Sequence, residues 1–257
     1  MKTALKKRAA RVRVASDRCA KRISTGVAEF DEVLGGGMVP GSMTVVHGRR
    51  GGGKTTLLLR VAMAMGHRGT RVIFASGEQS KRDLVGLIHR TTATSRNVSL
   101  HAATEKDTNG CEIREVVSEA ERLKPKLLIV DSAQTAFIAT DKSDVGSLGQ
   151  IRAVVHYLAS FSKTADVAVV IIGHDNKQGE LAGPAALSDL ADTIVTLDPR
   201  LVHDPTTGEV IPGTEGIRRL AVDKKNRYGA ADVAAYLEMT ERGLVALSRA
   251  KRRLVAR

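Results

Sequence analysis

At 257 residues, 42% of them apolar and none of them Trp, the chain can bury the core of one α/β domain built mainly from Val, Leu, Ile and Ala, and is short for two. No apolar run nears the roughly 18 residues that span a bilayer, and no apolar segment follows the basic N-terminus, so neither membrane insertion nor a secretory signal is expected and the setting is expected to be cytoplasmic. The formal charge of +12 sits at the two ends, and the two cysteines, Cys19 and Cys111, are too few for a four-cysteine zinc site and are read as reduced thiols.

Residues 1–22 carry nine Lys/Arg against the single Asp17, and residues 249–257 carry five, so the body between them is one negative charge from neutral. The expected organisation is a basic extension over 1–22, one ordered domain over 23–248 and a basic tail over 249–257. Such ends suit a polyanion such as nucleic acid, or are simply solvated. After them comes a short helical pattern of Val27, Phe30 and Leu34, stopped by Gly35-Gly36-Gly37. Met43 to Gly48 reads as a strand, a glycine-rich loop follows, and Lys54 to Met65 reads as a buried helix.

Alternation then continues. Arg71 to Ala75 is a strand, and Ser80 opens a helix with Asp83 as its capping partner and Leu84, Leu87 and Ile88 as its apolar face. Val98 to Ala102 is a weak strand, Glu112 to Leu123 an amphipathic helix, and Leu127 to Val130 a strand ending in Asp131. Leu148 to Lys163 is a further helix, and Val167 to Gly173 is the most apolar strand, expected at the centre of the sheet. Thr193 to Leu197 is another strand, and a polar loop or hairpin spans Asp204 to Gly216. Ile217 to Asp223 and Ala234 to Met239 are expected as strands near one sheet edge. Strands alternating with helices imply an α/β fold whose mostly parallel, twisted sheet is flanked by helices on both faces, with ligands at the carboxyl ends of the strands.

That rim carries the chemistry. Gly48-Arg49-Arg50-Gly51-Gly52-Gly53-Lys54-Thr55 matches G-x-x-x-x-G-K-[ST] without a gap and lies between a strand and a helix. Glycines let backbone N–H groups close on phosphate oxygens, and the helix N-terminus favours an anion. Lys54 is expected to bridge the β- and γ-phosphates of ATP, Thr55 to ligate Mg²⁺, and Thr56 to sit near the α-phosphate. Asp131, at the end of an apolar strand about 75 residues on, is expected to hold the Mg²⁺ shell. Glu78 follows a strand and precedes a helix start, where a carboxylate would orient and deprotonate the attacking water; the plainer reading is an acid that favours the next helix's N-terminus.

These residues, with Ser24-Thr25-Gly26, Leu34 to Gly37, Pro40-Gly41-Ser42, Ser76-Gly77-Glu78, Asp131-Ser132, Gln134-Thr135, Gly173-His174, Lys177, Ala182-Gly183-Pro184 and Lys225-Asn226-Arg227-Tyr228-Gly229, give a chain that resembles the ATPase core of the bacterial RadA (Sms) family over roughly residues 22–248. The resemblance implies a RecA-like P-loop NTPase fold and a ring-forming ATPase, hexameric by that likeness. Single-stranded or branched DNA is implied as its partner, with recombination or repair as its setting. The Lys225 to Gly229 stretch looks like the family's K-N-R-F-G signature with Tyr for Phe. By that likeness Lys225 and Arg227 would act catalytically, reaching a neighbour's γ-phosphate, or would touch DNA; otherwise they belong to a basic turn.

The chain departs from the family's pattern in four places. It shows no four-cysteine zinc finger, and no Lon-related domain lies within the 257 residues. The loop tip reads Arg49-Arg50-Gly51 where an acid, Pro and Gly are usual, and His174-Asp175-Asn176-Lys177 stands where H-V-T-K is usual. His174 is expected either to sense the γ-phosphate or to make a plain hydrogen bond. The Asp141 to Gln150 loop and the basic ends are the DNA candidates, with phosphate contacts dominating because aromatics are few. The alternative function is a RecA-like regulatory switch that binds a protein partner; a DNA-binding module with a vestigial site is a third.

Overall fold

The computed structural model describes residues 21–103 and 111–255. The elements run α1 (Ala28–Val33), β1 (Met43–His47), α2 (Lys54–His67), β2 (Val72–Ser76), α3 (Lys81–Thr91) and β3 (Val98–Ala102). Then come β4 (Cys111–Glu112), α4 (Ile113–Leu123), β5 (Leu127–Asp131), β6 (Ala136–Phe137), α5 (Leu148–Ala165) and β7 (Ala168–Ile172). The chain closes with α6 (Ala185–Leu190), β8 (Thr193–Pro199), β9 (Ile217–Asn226), β10 (Val233–Thr240), β11 (Gly243–Ala246) and α7 (Arg249–Val255).

One nine-stranded sheet has the order β11-β10-β9-β8-β1-β7-β5-β2-β3. From β8 to β3 every pairing is parallel, and β9, β10 and β11 add an antiparallel edge. The apolar strand β7 lies between β1 and β5, as its composition predicts. Side chains alternate across a strand, so a strand covered on both faces must be apolar at every position. In β5, Leu127 and Ile129 join one core, with α2 and α3, while Leu128 and Val130 join the other, with α4 and α5. β1, β2 and β7 divide their residues in the same way.

Helices α3, α4 and α5 start where the sequence supplies caps. Ser80 accepts the backbone N–H of Asp83, Glu112 that of Glu115, and Ser147 that of Gln150. Helix α2 has no side-chain cap, and its Leu57, Leu58 and Leu59 are fully buried, each contributing about 2 kcal/mol.

Four features were not legible from periodicity: the short pair β4 and β6, helix α6, the outermost strand β11, and α7. The last lies in the segment expected as a basic tail. Residues 249–255 are helical, with Lys251 2.5 Å from Glu238 and Arg252 3.6 Å from Glu29. At the other end, residues 1–20, with Cys19 and most of the basic extension, lie outside the described residues, as do 256–257. Arg22 is tied down, donating to the carbonyls of Leu34, Gly37 and Tyr228.

Candidate nucleotide site

β1 ends at His47 and α2 begins at Lys54, so Gly48, Arg49, Arg50, Gly51, Gly52 and Gly53 turn the chain between a buried strand and a buried helix. Gly48 has φ +147°, and a Cβ there would collide with the Leu197 carbonyl oxygen. Only glycine allows the loop to lie this close to β8. Arg49 and Arg50 are exposed at the tip. With no side chain capping α2, its first backbone N–H groups stay available to an anion.

Lys54 is buried, and its Nζ donates to the carbonyls of Gly48 at 2.7 Å and Arg49 at 2.9 Å. Burial lowers its pKa, against the opposing charges of Asp175, Asp131, Glu78 and Asp198. Thr55 Oγ1 donates to Asp131 Oδ2 at 2.7 Å. Asp131 is 1% exposed, and its Oδ1 is buried with no hydrogen-bond partner. Burial pushes its carboxyl up to about 6, opposed by the Thr55 hydrogen bond and reinforced by the charge of Glu78.

Strands β2 and β5 pair with Ser76 beside Asp131, which brings the residues that follow them to one rim. Glu78 Oε1 accepts the Ser132 hydroxyl at 2.6 Å and also meets His174 Nε2. Its carboxyl falls to about 2; the His174 hydrogen bond is the main cause, burial opposes it and Ser132 adds to it. Lys54, Thr55, Thr56, Glu78, Asp131 and His174 all border one cavity of about 750 Å³. That cavity continues over Leu87, Arg90 and Met239.

The structure therefore gathers the P-loop, Thr55, Thr56, Glu78 and Asp131, and leaves Lys225 and Arg227 elsewhere. Arg227 N donates to Asp192 O, and Asp192 N to Met43 O, so Arg227 is level with the start of β1, while the phosphate loop leaves its end. Four residues of strand separate those levels, roughly 13 Å. Lys225 Nζ donates to the carbonyls of Ser188 and Asp189, both at 2.9 Å. In the loop expected to face DNA, Val145 and Leu148 are 58% and 63% exposed, but Gln150 is buried and bonded to Ile138 and Ser143.

The contacts that His47, Asp175, Thr196 and Ser132 make at the rim escaped the sequence reading. His47 Nδ1 lies 2.7 Å from Asp175 Oδ1, and its Nε2 lies 3.2 Å from Thr196 Oγ1. A histidine that closes an otherwise apolar strand directly before the glycine loop was the available signal. The role of Ser132 as a partner of Glu78 had no sequence signal beyond its place after Asp131. Among the described residues no group of three or more His, Cys, Asp and Glu could hold a metal, and no helix is long and apolar enough to cross a membrane.

Residues 11–180 match the AAA domain family. The chain is 35% identical over 223 residues to the DNA repair protein RadA of Salmonella typhimurium, covering 87% of this chain and 44% of that protein. It thus spans less than half the length of the curated relatives it matches. Among solved structures, a KaiC-like protein from Pyrococcus horikoshii superposes with a TM-score of 0.67 at 17% identity, covering 89% of this chain and all of that one. The RadB recombinase superposes with a TM-score of 0.58 at 23% identity, over 88% and 99% of the two chains. These likenesses give the fold, a RecA-like mostly parallel sheet flanked by helices.

Proposed function

The chain belongs to the AAA domain family, and we propose that it is a RecA-like ATPase that works on DNA in recombination or repair. The observation that carries the ATPase reading is the Thr55–Asp131 hydrogen bond at 2.7 Å, set beside Lys54 and Glu78 on one cavity. The name carried by the relatives, DNA repair protein RadA, supports the setting.

In this reading the phosphates of ATP lie along the N–H groups of Gly48 to Thr56, and Lys54 leaves the Gly48 and Arg49 carbonyls for phosphate oxygens. Mg²⁺ fits the donors present. Thr55 Oγ1 and Asp131 offer hard oxygens, and Asp131 Oδ1 is buried without a partner. When bound, the ion supplies positive charge at the β- and γ-phosphate oxygens.

Glu78 faces the same cavity and holds a water in line with the γ-phosphorus. Attack forms the new P–O bond, the bond to the β-phosphate oxygen breaks, and the water's proton passes to Glu78 and then to solvent. With its carboxyl near 2, Glu78 is a weak base while His174 is bound to it, so orienting the water is its larger task until that hydrogen bond lengthens.

Arg227 sits too far from its own phosphate loop, Lys225 is held on the carbonyls of Ser188 and Asp189, and in a ring of copies they serve the loop of a neighbour. The basic residues of 1–22 and 249–257 meet DNA phosphates, and a hexamer in the cytoplasm is the assembly this reading takes. The test is the steady-state ATPase rate with and without single-stranded DNA, across a salt series. DNA stimulation that fades steeply as salt rises supports the reading. A Lys54-dependent rate indifferent to DNA moves it to a switch that binds a protein partner.

A further inference from the structure

Besides the phosphate cradle, the carboxyl rim of the sheet carries two hydrogen-bonded groups, joined by the peptide bond between His174 and Asp175. His47 closes β1 and directly precedes Gly48, and the residue is 7% exposed. A carboxylate only accepts, so the His47 Nδ1–H donates to Asp175 Oδ1 at 2.7 Å, and Nε2 lies 3.2 Å from the Thr196 hydroxyl. The Asp175 carboxylate is as buried as the imidazole it binds.

Asp175 is also the residue after His174. Its segment bridges Leu181, and the two neighbours take different partners. His174 meets Glu78, which also holds Ser132. Asp175 meets His47 at the end of β1, beside Thr196 of β8. Gly173 brings the chain against His47: its N–H donates to Val46 O at 2.9 Å, and a Cβ there would lie 3.6 Å from His47 Cβ. The line Ser132–Glu78–His174–Asp175–His47–Thr196 thus runs across the rim and reaches the residue on which the phosphate loop is hinged.

We infer that His47 and Asp175 are positioning residues, which fix His174 against Glu78 and couple that contact to the base of the phosphate loop. The inference rests on the hydrolytic reading above. A shift of Gly48 on phosphate binding moves His47, and through Asp175 it moves the imidazole that governs where Glu78 points and how basic it is. A buried carboxylate that has lost its one imidazole partner is an uncompensated charge directly beside His174.

The experiment uses the whole chain and four variants: Asp175→Asn, His47→Leu, the two combined, and His47→Asn, whose amide N–H replaces the Nδ1 donor. Each is measured for kcat, KM, dissociation constant of a fluorescent ATP analogue, and melting temperature. The expected result is a loss of roughly tenfold or more in kcat for Asp175→Asn and His47→Leu, with nucleotide affinity within about twofold of the parent. The combined variant is expected to be no worse than either single one, and His47→Asn to lie within about threefold of the parent. An unchanged kcat in Asp175→Asn overturns the inference, as does a fall in affinity and melting temperature that parallels kcat. A parent chain without Lys54-dependent hydrolysis sinks the ATPase reading itself, and this inference with it.

Discussion

Arg227 Nη1 lies 2.9 Å from Asp192 Oδ1, level with Met43 at the start of β1 and therefore at the opposite end of that strand from the phosphate loop. Asp192 is buried and also accepts the Met43 N–H through Oδ2 at 2.9 Å, so the pair fixes where β8 begins beside β1. In the proposed ring, a cation so placed would reach the phosphate loop of another copy of the chain rather than its own.

That requirement predicts complementation. Lys225→Ala and Lys54→Ala chains are each expected to lose most turnover alone. Mixed in equal amounts, they rebuild interfaces that pair an intact loop with an intact Lys225, roughly a quarter of the total. Recovery of ATPase activity on mixing checks this; a mixture as inactive as its parts would mean that Lys225 acts only within its own chain. Lys225 is preferred to Arg227 for the test because removing Arg227 also strips Asp192 of its partner.

The Glu78 carboxyl, at about 2 against an ordinary 4.5, should show in the pH profile. Its folded pKa is depressed, so the stability it contributes is complete above 4.5 and is lost as pH falls through about 2. From pH 5 upward the parent gains no acid limb from this group. In His174→Ala the main cause of the depression is gone, the pKa moves back toward 4.5, and kcat should fall at the acid end as Glu78 protonates. Profiles of the two proteins that superimpose would remove His174 from this role.

Two glycines of the loop should respond differently to alanine. At Gly48, φ is +147° and the added methyl meets the Leu197 carbonyl, so Gly48→Ala is expected to cost about 3 kcal/mol or more and to displace the loop. At Gly51, φ is +74° with nothing within 4 Å, so the cost is about 1 kcal/mol. Thermal unfolding and nucleotide titration of both variants check this, and equal losses would mean that the approach to β8 does not matter.

Cys111 should be inert. It is 1% exposed, and its thiol is pushed up to about 12 by burial first, then by the charges of Asp131 and Glu112. In a Cys19→Ser background, a thiol reagent near pH 8 is expected to label it on the order of a hundred times more slowly than a free cysteine, until the fold opens. Rapid labelling of folded protein would show that the β4–β6 pair opens readily.

Much of this was legible in the sequence, for reasons that can be named. β7 is apolar at every position, and β5 at all but its terminal Asp131, because both faces are covered, and Ser80 and Asp83 mark the start of α3. The glycine loop, Thr55, Glu78 and Asp131 could be placed on one rim because strand ends meet there. What escaped depended on contacts between distant segments. β11 holds only four residues and is fixed by pairing with β10, from Leu237 opposite Ala246 to Thr240 opposite Gly243. The basic run 249–255 is a helix whose Lys251 and Arg252 pair with Glu238 and Glu29, far away in sequence or on another element. His47 and Asp175 are separated by 128 positions, and no local pattern joins them.

The central claim is that the rim of Lys54, Thr55, Asp131 and Glu78 hydrolyses ATP. The most direct test is a single-turnover measurement with labelled ATP and Mg²⁺ on the parent chain, Lys54→Ala and Glu78→Gln, each paired with nucleotide binding. The account predicts product from the parent, little binding by Lys54→Ala, and in Glu78→Gln retained binding with a rate lower by on the order of a hundredfold or more. Hydrolysis by Glu78→Gln at the parent's rate would contradict it.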